Sequence, residues 1–304
     1  KINLLKAESI SDLISSETEI QREQAIKIMS GKSSDKFNSL REKLLKILSN
    51  VEAKIDFPED DLPKDILKYI HKEIKTIREE IEKILNDEKV GERIREGFKI
   101  AIVGPTNAGK SSLLNYLSKR DVAIVSETAG TTRDVIEVHL NLNGYPVIIS
   151  DTAGIRDSKD EIEKKGINLS LKRAENADLN LIVTEPKSID FIDFFSRNVS
   201  KKSILVINKI DLGIDHVSDE VKKYNPINIS IKDNINLDNL VNQIKKNLKN
   251  KFVNSEYIYI TRQRHRVSLE QCLDSLKNFE KKKSLDDFDK AAEDLRLATR
   301  YLGM

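Results

Sequence analysis

The chain has 304 residues, with 52 basic side chains against 50 acidic ones, one cysteine and no tryptophan. That length points to about two domains and a core of ample size, and the balanced charge advertises neither nucleic acid nor an anionic membrane. The lone Cys272 excludes an intrachain disulfide framework and suits a reducing, cytoplasmic setting, while no apolar run is long enough to span a bilayer and no signal peptide is visible. Charged residues make up 34% and aromatics 5%, a composition suited to long solvent-facing helices.

Residues 1–96 read as helix throughout. A first helix is expected over 5–29, with Ile10, Leu13, Ile14, Ile20 and Ile26 at helical spacing and Gly31 as its stop. A second is expected over 33–55. A third should follow the break at 57–63, starting near Lys64 behind Pro63 and running toward Glu96 on Ile66, Ile70, Ile74, Ile77, Ile81 and Ile84. Its charges (Lys72, Glu73, Arg78, Glu79, Glu80) read as solvated i,i+4 partners. Gly91 and Gly97 are expected to loosen the chain before the first strand.

From 97 to 250 the pattern becomes strand-helix alternation. Apolar strands are expected at 98–103, 135–142, 146–150, 179–184, 203–207 and 227–229, with helices near 110–119, 160–176, 187–197 and 236–249. Such alternation implies a mostly parallel sheet with helices on both faces, and Asn143-Gly144 marks a hairpin between two of its strands. Residues 251–304 return to helix, near 266–282 and 285–302. Two helices cannot bury their apolar faces alone, so they should pack on 1–96, leaving 97–250 as an inserted domain.

The chemistry starts where the first strand ends. Gly104-Pro-Thr-Asn107-Ala108-Gly109-Lys110-Ser111-Ser112 fits the G-x-x-x-x-G-K-S pattern, with a strand before it and a helix after. Its glycines let backbone N–H groups turn toward phosphate oxygens, Lys110 adds a point charge, and the Ser111 hydroxyl can ligate Mg²⁺. Asp151-Thr152-Ala153-Gly154 closes the strand after the hairpin, where a carboxylate can support the Mg²⁺ shell and the Gly154 N–H can approach a γ-phosphate. Asn208-Lys209-Ile210-Asp211 closes a later strand. The two Asp211 acceptors match guanine N1–H and N2–H₂, the Lys209 stem can lie over the base, and Asn208 can tie this loop to the phosphate loop. Ser230-Ile231-Lys232 can offer a backbone N–H to guanine O6. In Ala129-Gly130-Thr131-Thr132-Arg133-Asp134, one threonine can complete the Mg²⁺ shell as switch regions do. An arginine-finger reading of Arg133 ranks below a salt bridge.

Together these segments resemble the translation-factor-like GTPases, and the flanks narrow the family. Ala7-Glu-Ser-Ile-Ser-Asp-Leu-Ile14, Glu17-Thr-Glu-Ile-Gln-Arg22, Ala291-Ala-Glu-Asp-Leu-Arg296, Asn107 in the phosphate loop and Gly130-Thr-Thr-Arg-Asp134 resemble the tRNA-modification GTPase family MnmE (TrmE). The resemblance implies an α/β P-loop GTPase (G) domain at 97–250 inserted into an all-α helical domain made of 1–96 and 251–304. It implies a fragment, without the family's N-terminal folate-binding domain and C-terminal cysteine-containing tail. The start at Lys1 rather than Met agrees with that expectation.

The resemblance also implies a mechanism. Ile155 stands where many GTPases place a water-orienting glutamine, and Glu163 matches the family's catalytic glutamate. Taken alone, Glu163 reads as an exposed helix glutamate, and Ser158 with Glu161 has capping-box spacing. Potassium would replace an arginine finger, with oxygens from Asn107, Ser126, Thr128 and Thr131, in a loop that also holds Glu127 and precedes the Mg²⁺ ligand Thr132. Implied partners are GTP and GDP, a second G domain, a MnmG-type flavoprotein and, through the full complex, tRNA. The implied reaction is GTP hydrolysis coupled to modification of the wobble uridine. A ribosome-assembly GTPase and a non-enzymatic interaction module stay open as alternatives. The cluster Arg262-Gln-Arg264-His265-Arg266 can touch tRNA or form interdomain salt bridges. His71, His139 and His216 lack metal-ligand spacing.

Overall fold

A computed structural model describes residues 3–56, 66–87, 89–120, 123–124, 136–151, 174–186, 202–213, 223–252, 258–282 and 288–303. The chain forms two compact units. One comprises Lys1–Ser16, Gln21–Arg95 and Val253–Met304, and the other Glu17–Ile20 and Glu96–Phe252.

The helical unit begins with two helices, α1 (Leu4–Ile14) and α2 (Glu19–Met29), where periodicity predicted a single one. Asn3 caps α1 by accepting the Lys6 N–H at 2.9 Å. The helix ends because its serines turn back on it. The Ser15 N–H and hydroxyl both donate to Ser11 O, at 3.0 and 2.9 Å, and the Ser16 hydroxyl donates to Leu13 O at 2.8 Å. Side chains that bond the last turn compete with the next amides, a break that isoleucine spacing cannot register. The expected helix toward Glu96 is likewise two, α4 (Ile66–Leu85) and α5 (Val90–Glu96), following α3 (Lys32–Asp56). Between them Asp87 Oδ1 accepts the Lys89 N–H at 3.0 Å and Lys89 takes φ 61°, an Asx-type turn. Gly91 lies inside α5 and not in a loose connection.

The core of this unit joins Leu40, Leu44, Ile47 and Val51 of α3 to Ile70, Ile74, Ile77 and Ile81 of α4. Leu269, Cys272, Leu276 and Phe279 of α8 (Gln263–Lys281) and Leu295 and Ala298 of α9 (Phe288–Leu302) complete it. Cys272 is a packing residue; burial pushes its thiol up to about 12, so it holds no thiolate at neutral pH. The expected solvated charge pairs on α4 are only partly local. Lys75 faces Glu79 at 3.9 Å, but Glu80 takes Lys36 and Lys43 of α3, and Arg78 reaches Glu280 of α8 at 3.6 Å.

The cluster 262–266 turns inward, onto carboxylates of its own unit. Arg262 lies 2.7 Å from Asp12, and Arg264 forks onto Glu8 at 3.0 and 2.7 Å. Burial raises the Glu8 pKa, but the Arg264 hydrogen bond and the charges of Arg262 and Arg264 outweigh it and hold the carboxyl below its ordinary value. A depressed carboxyl contributes stability above its unfolded pKa and loses it as pH falls through the folded value. Arg266, 7% exposed, donates to Glu92 at 2.9 and 2.8 Å, to Asp87 at 2.6 Å and to Leu85 O at 2.9 Å. It fastens the α4–α5 turn to α8. Arg266→Ala leaves the buried Glu92 carboxylate without this partner and should lower the unfolding free energy of the helical unit by ~3 kcal/mol. Arg264→Ala should cost under ~1 kcal/mol, because that guanidinium is over a third exposed. Urea denaturation of the two variants checks the contrast.

The second unit is built on a seven-stranded sheet in the order β2-β3-β4-β1-β5-β6-β7. Its strands are β1 (Phe98–Val103), β2 (Ala123–Ile124), β3 (Ile136–Leu142), β4 (Tyr145–Asp151), β5 (Leu179–Thr184), β6 (Ser203–Ile207) and β7 (Ile227–Asn228). Strands β4, β1, β5, β6 and β7 pair in parallel, and β3 runs antiparallel to both β2 and β4. The β3–β4 hairpin turns on Asn143 and Gly144, at φ 57° and 91°. Both faces are apolar, as a parallel sheet requires. Ile100, Ile102, Leu181, Val183 and Val206 pack with Leu113 and Leu117 of α6 (Lys110–Arg120) and with Leu240, Val241 and Ile244 of α7 (Leu237–Phe252). Ala101, Val103, Ile182, Leu205 and Ile207 form the opposite layer. The helices expected at 160–176 and 187–197 lie outside the described residues, apart from a turn at 174–176. The fold is a P-loop α/β G domain inserted into an all-α helical domain.

Candidate functional site

The site forms at the C-terminal ends of β1, β5 and β6, where parallel sheets place ligands. The loop from Gly104 to Gly109 joins β1 to α6. It lies hard against its neighbours: a Cβ on Gly104 would sit 1.9 Å from Val183 O, and one on Gly109 would sit 2.2 Å from Asn208 Nδ2. Gly109 also has φ 94°, so any side chain there would be strained as well as crowded. Asn107 takes the left-handed conformation, φ 63°, and is exposed at the loop tip, a position asparagine tolerates.

Lys110 opens α6 and is 7% exposed. Its ammonium folds back over the loop, donating to Gly104 O at 2.9 Å and Pro105 O at 2.7 Å. Its ammonium lies at the loop, beside the positive end of the α6 dipole. Ser111 and Ser112 are exposed in the same first turn.

Asn208 joins this loop to two others. Its Nδ2 donates to Ala108 O at 2.9 Å, its Oδ1 accepts the Ile231 N–H at 3.3 Å, and its own N–H donates to Thr184 O at 2.8 Å. The tie between Asn208 and the phosphate loop, expected from sequence, is present, and it extends to residues 230–232. Asp211 sits in a short 3-10 turn (Ile210–Leu212), where Ser230 donates its hydroxyl to Asp211 Oδ1 at 2.7 Å. Ser230 is fully buried and also accepts the Asp233 N–H at 3.2 Å. The Asp211 carboxylate is exposed yet oriented from beneath. Lys209, at φ 63°, pairs with Glu185 at 2.8 Å. Sequence reasoning missed Glu185, whose only signal was a carboxylate placed between a strand end and Pro186.

Asn107, Ala108, Gly109, Lys110, Ser111 and Ser112 are thus brought together with Asn208, Lys209, Asp211, Ser230, Ile231 and Lys232. Asp151 ends β4, paired in register with Ile102 of β1, and its side chain is outside the described set. Ser126, Glu127, Thr128, Ala129, Gly130, Thr131, Thr132, Thr152, Ala153, Gly154 and Glu163 lie outside the described residues, as do Arg133, Ile155, Ser158 and Glu161. Among the described residues no group of three or more His, Cys, Asp or Glu could hold a metal ion. A single hydroxyl such as Ser111 still fits Mg²⁺, which is held by few protein ligands together with substrate phosphates and water. Among the same residues no helix is long and apolar enough to cross a membrane.

A phosphate loop on β1, the Asn208–Asp211 loop on β6 and a parallel sheet between them define a P-loop GTPase, an enzyme that hydrolyses GTP. The MnmE helical domain family model matches residues 4–304. The tRNA modification GTPase MnmE of Pelagibacter ubique (strain HTCC1062) is 69% identical over 304 residues, covering 100% of this chain and 69% of that protein. The protein of the same name from Rickettsia bellii (strain RML369-C) is 43% identical, covering 100% of this chain and 68% of that protein. The chain belongs to the MnmE family. Among solved structures, the G domain of the T. maritima FeoB iron transporter matches 50% of this chain and 98% of its own, at 24% identity and TM-score 0.38. A GTP-binding protein from Sulfolobus solfataricus, in complex with GDP, matches 69% of this chain and 67% of its own, at 20% identity and TM-score 0.38.

Proposed function

We propose that the chain is a potassium-stimulated GTPase whose turnover is coupled to pairing of two G domains, and that it acts in the cytoplasm in modification of the wobble uridine of tRNA. The observation that supports the guanine-nucleotide part is the Asn208 side chain, which binds the phosphate loop and the base loop into one frame. The family match across residues 4–304 supports the tRNA part.

In this reading the backbone of Asn107–Ser112 and the Lys110 ammonium bind the β- and γ-phosphates. Ser111 and Thr132 would hold Mg²⁺, backed by Asp151, and Gly154 would approach the γ-phosphate. Asp211 reads the guanine edge with Lys209 over the base and residues 230–232 beside it. Glu163 orients the attacking water, because Ile155 has no polar group with which to do so. Asn107, Ser126, Thr128 and Thr131 would hold K⁺, which supplies fixed positive charge near the bridging oxygen in place of an arginine finger. The partners are a second G domain, a MnmG-type flavoprotein subunit and tRNA.

Hydrolysis of GTP and ATP, each in KCl and in NaCl at matched ionic strength, tests the reading. GTP should turn over at least about tenfold faster in KCl, a modest share of the 10²–10³ lost with one fixed electrostatic stabiliser. Asn107→Ala should flatten the difference while GTP affinity stays within about threefold. Equal rates in the two salts, with the G domains paired in solution, would refute the cation mechanism.

A further inference from the structure

The site holds two lysines with different neighbours. Lys110 donates to the carbonyls of Gly104 and Pro105 in the phosphate loop. Lys209 has its charge cancelled within the protein, because Glu185 Oε2 lies 2.8 Å from its Nζ, with the two side chains 23% and 33% exposed. A lysine already neutralised by a carboxylate is a poor phosphate ligand. What it offers is its four-carbon stem.

The backbone on both sides of this pair is fixed. Asn208 is bonded to Thr184 O and to Ala108 O, and Lys209 follows in the left-handed conformation before the turn that carries Asp211. Glu185 directly follows Thr184, and Pro186 restricts it to extended backbone. The pair therefore links the ends of two strands, β5 and β6, directly before the turn that carries Asp211. Ion pairs a quarter to a third exposed add little to folding, which leaves room for a role beyond stability.

We propose that Glu185 is a positioning residue for nucleotide binding: its carboxylate fixes the Lys209 ammonium so that the Lys209 stem presents a rigid apolar strip to one face of the purine base. The inference rests on reading 208–211 as the guanine loop. Without Glu185 the lysine stem samples its full set of rotamers and must be ordered again each time nucleotide binds.

The test uses the full chain with Glu185→Gln and Glu185→Ala, titrated with fluorescent GDP and displaced by GTP, GDP and ITP. Both variants should bind about 5- to 10-fold more weakly, chiefly through faster dissociation. The loss should be the same for all three nucleotides, because a face contact reads neither the N2 amine nor the γ-phosphate. It should appear in KM and not in kcat, and the thermal midpoint of the nucleotide-free protein should stay within about 1 °C of the parent. Affinities within about 1.5-fold of the parent would overturn the proposal. So would a gain for GTP over GDP, since that would show Lys209 released to act as a phosphate ligand, or a midpoint lowered by many degrees, which would assign Glu185 to folding. Failure of the guanine reading shows separately, as equal affinity of the parent chain for GTP and ATP.

Discussion

Asp211→Asn is expected to lower GTP affinity by about 10²-fold and to admit xanthosine triphosphate in its place. The carboxylate presents two acceptors to two guanine donors, and hydrogen bonds to a charged group contribute ~1.5–3 kcal/mol each. Asparagine replaces one acceptor with a donor, which opposes the guanine N2 amine but suits the carbonyl that xanthine carries there. The new side chain should hold its place, because the buried Ser230 hydroxyl that positions Oδ1 can still donate to an amide oxygen. A competition titration with GTP, XTP and ATP reads the switch. If the unmodified chain binds ATP as tightly as GTP, Asp211 does not read the base.

The second large effect concerns rate and not affinity. Glu163→Ala should reduce kcat by at least ~10², the usual size of a general acid–base contribution. GTP affinity should stay within about threefold, as expected for a residue without ground-state contact to the nucleotide. Glu161→Ala should behave in the opposite way: the capping-box spacing of Ser158 and Glu161 in sequence predicts some loss of helix stability and little loss of rate. Single-turnover hydrolysis of both variants, saturated with K⁺, separates them. Normal turnover by Glu163→Ala together with a dead Glu161→Ala would reverse the assignment.

What could be read in advance follows from the range of each interaction. The phosphate loop, its strand and its helix are contiguous, so nine residues sufficed to place them. The isoleucine ladder of α4 was equally plain, because its period is the helix's own. The helix breaks after Ile14 and Leu85 were not, since serine back-bonds and one Asx turn make them while the apolar period runs on. Pairing partners were the least visible. Arg262, Arg264 and Arg266 meet carboxylates more than 170 residues away in sequence, and no local pattern distinguishes them from a cluster that faces tRNA. Glu185 was missed for the same reason, 24 residues from Lys209. The potassium ligands proposed at 107, 126, 128 and 131, and Glu163, stand on family resemblance, whereas a threonine of 131–132 as Mg²⁺ ligand was suggested by the segment itself.

Asn208 sets how the two halves of a nucleotide can help each other. Its amide spans Ala108 of the phosphate loop and Ile231 of the base loop, so neither loop moves without straining the other. Two subsites held at fixed separation act as a bidentate clamp: once the base is seated, the triphosphate meets its loop at a high effective concentration. Guanosine and free triphosphate, offered as separate molecules, should forfeit that chelate gain and bind far more weakly than intact GTP. On the proposed reading of the site, the hydrogen bonds of one asparagine would set the rigidity of the clamp, and with it how long an intact nucleotide stays bound.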